Sequence, residues 1–319
     1  MGNHKRRRKH KKLLILIIFI VVEAIVIIWH QGLERVEEEC YKPVGELVDV
    51  NSHQVHMVQK GEGNRTIVFL TGSGTPCGYT DFYNLQDNLS KTAKTVTFDR
   101  AGFGWSEDTT IERTVDNLAI ELEELLSYTG KSESFVIVAH SLASLEALRF
   151  AQQHPKQVKG IVFLDCGSPE YYKDYSETSA MALNRAEAFL RFTGWNRLVN
   201  GLVKLPFVGE NLRYKGLPED LQKLDLSMYN RFLGNASNID NIMLINENAE
   251  TVLEHKKKLD IPFLVISSDQ EEEWIEMQNQ LCEWSANSEL VVLKNSSHYI
   301  HWSNQEEVIQ LISKFIKNM

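Results

Sequence analysis

The chain contains few cysteines: four among 319 residues, at Cys40, Cys77, Cys166 and Cys282. No two of them have the close spacing that is typical of a metal site, and a domain of this size does not need disulfide bonds to compensate for a small core. We interpret them as small buried side chains. A disulfide between Cys77 and Cys166, which both follow predicted strands, is the alternative. The sequence thus predicts neither a metal nor a cofactor.

Internal repeats are absent, and so are low-complexity segments apart from a basic N-terminal tail. The Gly-rich segment at residues 72–74 lacks the Gly-Lys-Ser/Thr of a phosphate-binding loop. The first 12 residues carry seven Lys and Arg, and without them the net charge of −9 becomes about −16. A body this acidic repels phosphate backbones, so we do not expect nucleic acid as a partner.

What the sequence does contain is one long apolar run. Residues 13–29 are apolar except for Glu23, and as a helix they rise about 25 Å, close to the lower limit for crossing a bilayer. The Glu23 carboxyl is costly in a membrane unless it takes a proton or meets a partner helix. No small-x-small cleavage signal follows the run, which favours an uncleaved anchor over a signal peptide. The sequence predicts a transmembrane helix over residues 13–30.

The charge on either side of this helix predicts its orientation. The tail, residues 1–12, is basic, whereas the linker, residues 31–44, is acidic. Because basic flanks stay on the cytoplasmic side, the N-terminus is predicted to be cytoplasmic and the body extracytoplasmic. We therefore expect a single-pass protein of the cell membrane.

Residues 45–319 alternate strand and helix patterns, which predicts an α/β fold with a doubly wound, mostly parallel sheet. A hairpin is predicted first, around Asn51-Ser52-His53. Buried parallel strands are predicted at residues 67–70, 96–98, 135–139, 161–164, 263–266 and 290–293. Helices are predicted at residues 113–128, 142–153 and 272–284, and a last one from a capping box at Ser303.

A long segment without a strand pattern separates the strand ending at Asp165 from the one starting at Ile261. It is too long for a loop and too embedded for a separate domain, so residues 168–259 are predicted to form a helical cap over the carboxyl edge of the sheet. Large cap side chains that are candidates for lining an apolar pocket beneath it are Trp195, Phe207, Tyr214, Met228, Tyr229, Phe232 and Met243.

A serine follows the third of the parallel strands at an abrupt turn. Ser141 has Ala139 two residues before it and Ala143 two residues after it, and a helix pattern follows. A serine on such a strand-turn-helix segment is held in a strained backbone conformation that exposes its hydroxyl above the sheet, provided that those neighbours are small. The segment predicts that Ser141 is a catalytic nucleophile rather than a helix-capping serine.

A serine nucleophile needs a histidine base and an acid, supplied after later strands at the same edge of the sheet. Asp269 and His298 follow the last two predicted strands, so the chain order predicts them as acid and base. Asp165, which also ends a strand, and the acidic residues 271–273 are alternative acids. We favour Asp269 because it lies one strand before the histidine. His301 is the histidine that competes with His298.

An acyl-transfer site also needs N–H donors for the oxyanion. The N–H of Leu142, at the start of the helix, is one candidate donor. The other is the N–H of Ser73, in the loop Thr71-Gly72-Ser73-Gly74 that follows the first long strand.

These segments together resemble the α/β-hydrolase superfamily over residues 45–319. The segment Asp99-Arg100-Ala101-Gly102-Phe103-Gly104-Trp105-Ser106 is similar to the Asp-Arg-x-Gly-x-Gly-x-Ser loop of that family, and His298-Tyr299-Ile300-His301 resembles the stretch around its catalytic histidine. Thr71 stands where the family usually has a histidine, and alanines replace both glycines of the nucleophile turn. The resemblance implies the α/β-hydrolase fold and hydrolytic chemistry.

The sequence as a whole predicts a membrane-anchored serine hydrolase that cleaves an ester, a thioester or an amide of a small-molecule or lipid-like acyl substrate through an acyl-enzyme. Peptidases and other hydrolases use the same residue types on this fold. A catalytically silent, membrane-anchored binding protein is the alternative of a different class. No motif indicates an oligomeric state.

Overall fold

The computed structural model describes residues 2–130, 134–202, 212–214 and 216–319. Eight strands form one sheet in the order β1-β2-β4-β3-β5-β6-β7-β8. The strands are β1 (Glu46–Val50), β2 (His53–Lys60), β3 (Thr66–Leu70), β4 (Lys94–Phe98), β5 (Phe135–His140), β6 (Val158–Leu164), β7 (Phe263–Ser268) and β8 (Ser288–Leu293). The pairings from β4 through β8 are parallel, which confirms the predicted doubly wound sheet.

Helices connect the parallel strands. They are α1 (Gly2–Cys40), α2 (Gly78–Asp81), α3 (Tyr83–Leu89), α4 (Val115–Ser127), α5 (Ser144–Gln153), α6 (Pro169–Lys173), α7 (Thr178–Thr193), α8 (Trp195–Leu202), α9 (Glu219–Phe232), α10 (Ala236–Met243), α11 (Ile245–Glu254), α12 (Glu272–Cys282), α13 (Ile300–Ser303) and α14 (Gln305–Asn318). Between β6 and β7, where the cap is predicted, the described residues contain helices and no strand. The predicted pocket residue Phe207 lies outside the described residues.

The antiparallel start of the sheet is the predicted hairpin. Strands β1 and β2 pair around Asn51 and Ser52, whose φ angles are 44° and 69°. Two consecutive residues with positive φ make the type of two-residue turn whose twist matches that of the flanking strands.

Both faces of the central strands are covered by helices. Successive residues of a strand point to opposite faces, so Ile137 packs with α4, α5 and α12 while its neighbour Val138 packs with α3 and α14. Burial on both faces explains why these strands appear in the sequence as continuous apolar runs. The sheet therefore presents only its strand ends to ligands.

Three local features bear on the predictions. All four cysteines are free, so Cys77 and Cys166 form no disulfide. The capping box predicted at Ser303 does not form: the cap of α14 is Asn304, because Ser303 ends α13 and its hydroxyl bonds Ser297 N–H and Asn304 Oδ1. The segment predicted as a linker, residues 31–44, is helical as far as Cys40 because α1 is continuous.

Helix α1 is long and apolar enough, over Arg8–Cys40, to cross a membrane, and it is the only such helix in the described part of the chain. Side chains of its apolar run are exposed, among them Ile25 and Ile28 at 60% and 69%. Exposure of this extent sets the run apart from a core helix of a soluble domain.

Candidate active site

Ser141 lies at the carboxyl end of β5, where the chain turns sharply into a short 3₁₀ turn, Ser141–Ala143, and then into α5. Its φ of 56° is left-handed, an uncommon conformation for a residue with a side chain. Ala139 and Ala143 are both buried beside the turn, at the two places where such a turn requires small residues. The predicted strand-turn-helix geometry is therefore present, with the serine at its apex.

His298 and Asp165 complete a hydrogen-bonded chain that starts at this serine. His298 Nε2 lies 3.0 Å from Ser141 Oγ, and His298 Nδ1 lies 2.7 Å from Asp165 Oδ2. The base in such an arrangement contacts the nucleophile with one ring nitrogen while a carboxylate holds the other. The structure thus brings together two of the three predicted residues, Ser141 and His298, with Asp165 as the third.

The predicted acid, Asp269, is turned away from the imidazole. Its carboxylate accepts the backbone N–H groups of Asn295 and Ser296, at 2.9 and 3.1 Å, in the loop that leads to His298. These bonds lower the pKa of Asp269. Asp269 therefore contacts the backbone of the histidine loop and not the ring, and the carboxylate that meets the ring is Asp165 rather than the predicted Asp269.

Asp165 is held in place by donors from the next strand and helix. Its Oδ1 accepts the N–H of Ser268 at 2.6 Å, Trp274 Nε1 at 3.0 Å and Gln278 Nε2 at 2.8 Å. Burial alone raises the pKa of Asp165, but the bonds from His298 and these donors outweigh burial and lower it. Asp165 is thus a carboxylate at neutral pH, as a partner for a histidine cation must be. Sequence reasoning missed Trp274 and Gln278.

The competing histidine, His301, is excluded as the base by its position. It is buried, and its Nε2 lies 3.4 Å from Asp81 Oδ2. Burial alone raises the pKa of Asp81, but His301 and Arg213 outweigh it and lower that pKa. The His301 ring instead contacts Asp81 and the ring of His140, whose centroid lies 4.7 Å away.

His140, which the sequence analysis assigns no role, contacts His298 directly. Its Nε2–H donates to the backbone oxygen of His298 at 3.1 Å, and the two rings lie 4.9 Å apart. Burial lowers the pKa of His140 well below its usual value, and the neighbouring His301 and His298 lower it further. His140 is thus a neutral imidazole that fixes the backbone of the catalytic-histidine candidate. In the sequence, the only feature that points to a role for His140 is its position next to Ser141.

The loop that was predicted to supply an oxyanion donor packs directly on the nucleophile turn. A Cβ added at Gly72 would lie 2.7 Å from His140 Nδ1 and 3.1 Å from Ser141 Cβ, so only glycine allows this approach. The Ser73 hydroxyl donates to Asn238 Oδ1 at 2.9 Å. Among the described residues none accepts the backbone N–H of Ser73 or Leu142, which leaves both candidate donors available.

The Asp-Arg-x-Gly-x-Gly-x-Ser segment supports this loop rather than the reacting atoms. Arg100 donates from Nε and Nη2 to the carbonyl of Thr71, at 3.2 and 3.0 Å, and pairs with the buried Glu146. Asp99 accepts the N–H of Trp105, and a Cβ at Gly104 would lie 2.0 Å from its carboxylate. The motif therefore fixes the loop at residues 71–74 through the Thr71 carbonyl.

Tyr172 lies on the cap side of Ser141. The residue is buried and its ring packs against Gly167. Burial raises the pKa of Tyr172, and a hydrogen bond to Ser141 opposes part of that rise. The Tyr172 hydroxyl next to Ser141 consequently stays protonated at neutral pH. No motif in the sequence marks it.

A cavity of about 190 Å³ lies between the cap and the carboxyl edge of the sheet. Its walls include the predicted pocket residues Tyr214 and Tyr229, together with Ser73 and Tyr299 of the loops described above. The other described candidates do not line it: they are Trp195, Met228, Phe232 and Met243. A larger hollow of about 640 Å³ lies at the opposite ends of the strands and contains none of the predicted site residues.

One wall of this cavity carries a carboxyl group with a raised pKa. Burial raises the pKa of Glu187 from 4.5 to about 7. The folded protein then holds a proton that the unfolded chain releases, so this group makes stability fall as the pH rises from about 4.5 to about 7.

We therefore expect Glu187→Gln to raise the melting temperature of the full chain at about pH 8 and to leave it nearly unchanged at about pH 4.5, where the Glu187 carboxyl of the folded protein is protonated and as neutral as glutamine. Thermal unfolding at the two pH values checks this. An equal shift at both would contradict the explanation.

A family model described as alpha/beta hydrolase fold matches residues 65–305. The chain is 30% identical over 184 residues to a Bacillus subtilis (strain 168) protein known only as uncharacterized protein YbdG, and the match covers 57% of each chain. It is 24% identical over 293 residues to a proline iminopeptidase of Saccharolobus solfataricus, covering 88% of this chain and 92% of that one.

Solved structures of hydrolases also resemble the fold of this chain. A thermophilic esterase from Thermogutta terrifontis has a TM-score of 0.64 at 17% identity and covers 87% of this chain and 99% of its own. An enol-lactonase from Burkholderia xenovorans LB400 has a TM-score of 0.65 at 17% identity, with 85% and 100% covered. At these identities the likeness is one of fold.

Proposed function

The chain belongs to the α/β-hydrolase fold family, and from that premise we propose that it is a membrane-anchored serine hydrolase that cleaves an ester, or a thioester or amide, through an acyl-enzyme. The observation that carries the proposal is the hydrogen-bonded chain from Ser141 through His298 to Asp165, with distances of 3.0 and 2.7 Å. Ser73 and Tyr299, in the loops beside this chain of bonds, line the cavity of about 190 Å³. Together with the two available backbone donors, these are the parts that acyl transfer requires.

In the first half of the reaction, Ser141 Oγ attacks the acyl carbon while His298 Nε2 takes the hydroxyl proton. The carbonyl oxygen becomes an oxyanion, toward which the N–H groups of Leu142 and Ser73 donate. Asp165 stabilises the imidazolium and keeps its Nδ1 protonated. The tetrahedral intermediate collapses, the bond to the leaving group breaks, and His298 returns the proton to that group.

In the second half, water replaces the leaving group. His298 takes a proton from the water as its oxygen attacks the acyl carbon, and the second intermediate expels Ser141 Oγ, which takes the proton back. The acid product then leaves. Both half-reactions use the same donors and the same base, so no further cofactor is required by the proton balance.

Helix α1 supports the membrane-anchored part of the proposal. Its basic start and acidic end favour a cytoplasmic N-terminus and a catalytic body on the other side of the membrane. Its exposed apolar run is long enough to reach across the hydrocarbon region.

The test is labelling of the full chain with a fluorophosphonate probe in detergent micelles. The probe should form one adduct, on the peptide that contains Ser141, and His298→Ala should abolish the adduct because the hydroxyl loses its base. Thermal unfolding of that variant checks that it is folded. An unlabelled wild-type protein would instead favour a catalytically silent binding protein.

A further inference from the structure

The cap and the anchor helix are joined by polar contacts along α1. Trp195 Nε1, at the start of α8, donates to the Glu23 carboxylate at 2.9 Å. Arg197 donates from Nε to His30 Nδ1 at 2.9 Å and binds Glu37 through both terminal nitrogens at 2.6 and 2.7 Å. The Glu23 carboxyl thus has its partner in the cap.

Packing at the end of α7 is equally close. A Cβ added at Gly194 would lie 2.6 Å from the Cβ of His30 and 3.3 Å from the Val26 carbonyl oxygen. The junction between α7 and α8 therefore lies directly on the last turns of the apolar run. The Gly194 backbone thus packs on the His30 side chain and on the backbone of α1 at Val26.

These contacts fix the depth of the cap relative to the apolar run. Glu23 lies about 15 Å along the helix from Leu13 and about 9 Å from Trp29. If residues 13–29 span the hydrocarbon region, as the proposed anchor requires, Trp195 and the junction lie inside its outer part, about as deep as interfacial helices are buried. Part of the cap is then immersed in the membrane.

The outer face of α7 has the composition of an interfacial helix. Phe189 and Phe192 are 64% and 74% exposed, and with the exposed Arg185 they form a stripe at spacings of four and three residues. Aromatic side chains with a flanking cation are the residues that lie at the boundary between headgroups and acyl chains. A water-exposed surface gives no reason for two neighbouring phenylalanines.

The inner face of the same helix lines the cavity. Leu183 and Glu187 of α7 face the space next to Ser73 and Tyr299. Helix α7 is therefore the wall between that cavity and the surface that carries Phe189 and Phe192.

We propose that the α7–α8 tip of the cap is embedded in the outer leaflet and that the substrates are acyl esters dissolved in the bilayer, which reach the cavity past α7. This proposal rests on the proposed anchored hydrolase and adds its substrate class. The occupant of the α7 face is lipid because that face continues the apolar surface of α1 through the Gly194 contact.

The first test measures immersion and does not depend on activity. The full chain carries Phe192→Cys or, as a control, Ile120→Cys on α4, with Cys40 and Cys282 replaced by serine in both. A nitrobenzoxadiazole label is attached and the protein is placed in phosphatidylcholine–phosphatidylglycerol vesicles. We expect lipids brominated on the acyl chain to quench the label at residue 192 at least about twofold more than at residue 120.

Equal quenching at both positions would overturn the proposal. Protection of residue 192 from both brominated lipid and aqueous iodide would show that a second copy or another protein covers α7, and it would overturn the proposal as well.

The second test separates access from chemistry. We expect the double variant Phe189→Ser/Phe192→Ser to hydrolyse a long-chain ester dissolved in the vesicles about tenfold more slowly than the wild type and to hydrolyse water-soluble p-nitrophenyl acetate within twofold of it. Ile120→Ser is the control and should change neither rate. Equal effects on the two esters would overturn the access route. A wild type that hydrolyses neither ester would refute the proposed function, while the quenching result still decides immersion.

Discussion

Replacement of Ser141 by alanine is expected to lower kcat for a p-nitrophenyl ester by roughly 10⁴- to 10⁶-fold. Within the part of the chain that the structure describes, the change removes the only hydrogen-bond partner of His298 Nε2, the Ser141 hydroxyl at 3.0 Å. What remains is binding and oxyanion stabilisation, which assist a slow attack by water. The rate is measured on the full chain in micelles.

A matched serine shows that the loss is local. Ser127, exposed at the end of α4, donates only to the Glu124 carbonyl, so Ser127→Ala should leave kcat unchanged. Both variants should unfold at nearly the wild-type temperature. If Ser141→Ala kept more than about one per cent of the wild-type kcat, Ser141 would not be the nucleophile.

Replacement of Asp165 by asparagine is expected to lower kcat by about 10⁴-fold. Oδ1 of Asp165 accepts three N–H donors, so we expect the side-chain oxygen of the asparagine to occupy the Oδ1 position. The NH₂ group of the asparagine then faces His298. An NH₂ donor requires an unprotonated Nδ1, which moves the ring proton to Nε2. The nitrogen next to Ser141 then cannot accept the hydroxyl proton.

The companion variant Asp269→Asn distinguishes the two candidate acids. Asp269 bonds the backbone of the histidine loop and not the ring, so its replacement should cost less than about tenfold in kcat. The pair of kcat values, measured side by side, is the test. A loss at Asp269→Asn as large as that at Asp165→Asn would restore Asp269 as the acid.

The sequence could not choose between these acids for a physical reason. Asp165 and Asp269 both follow parallel strands that end at the same edge of the sheet, so chain order and strand position treat them alike. What separates them is the direction of the chain just after each strand. Asp165 has a φ of 48°, a left-handed conformation. No pattern in the sequence indicates that conformation at this residue.

The parts that could be predicted are those with strong local patterns. The apolar runs gave all six parallel strands, and small residues around Ser141 gave the turn. The support of the site comes from contacts between distant segments: Trp274 and Gln278 reach Asp165 from α12, and His140 reaches the backbone of His298. Spacing along the chain carries no information about such pairs, since tertiary packing decides them.

The continuity of α1 has a geometric consequence for the whole molecule. One unbroken helix runs from Gly2 to Cys40, and Arg197 of the cap binds it at Glu37. The N-terminal segment and the cap are therefore joined without a hinge about which one could rotate relative to the other. Inserting a single residue before Glu23 would turn that segment by roughly 100° and displace it by about 1.5 Å relative to the cavity. The direction in which the cavity faces, relative to the N-terminal segment of α1, is therefore set by the number of residues between that segment and Glu23. It can change only in steps of roughly 100°.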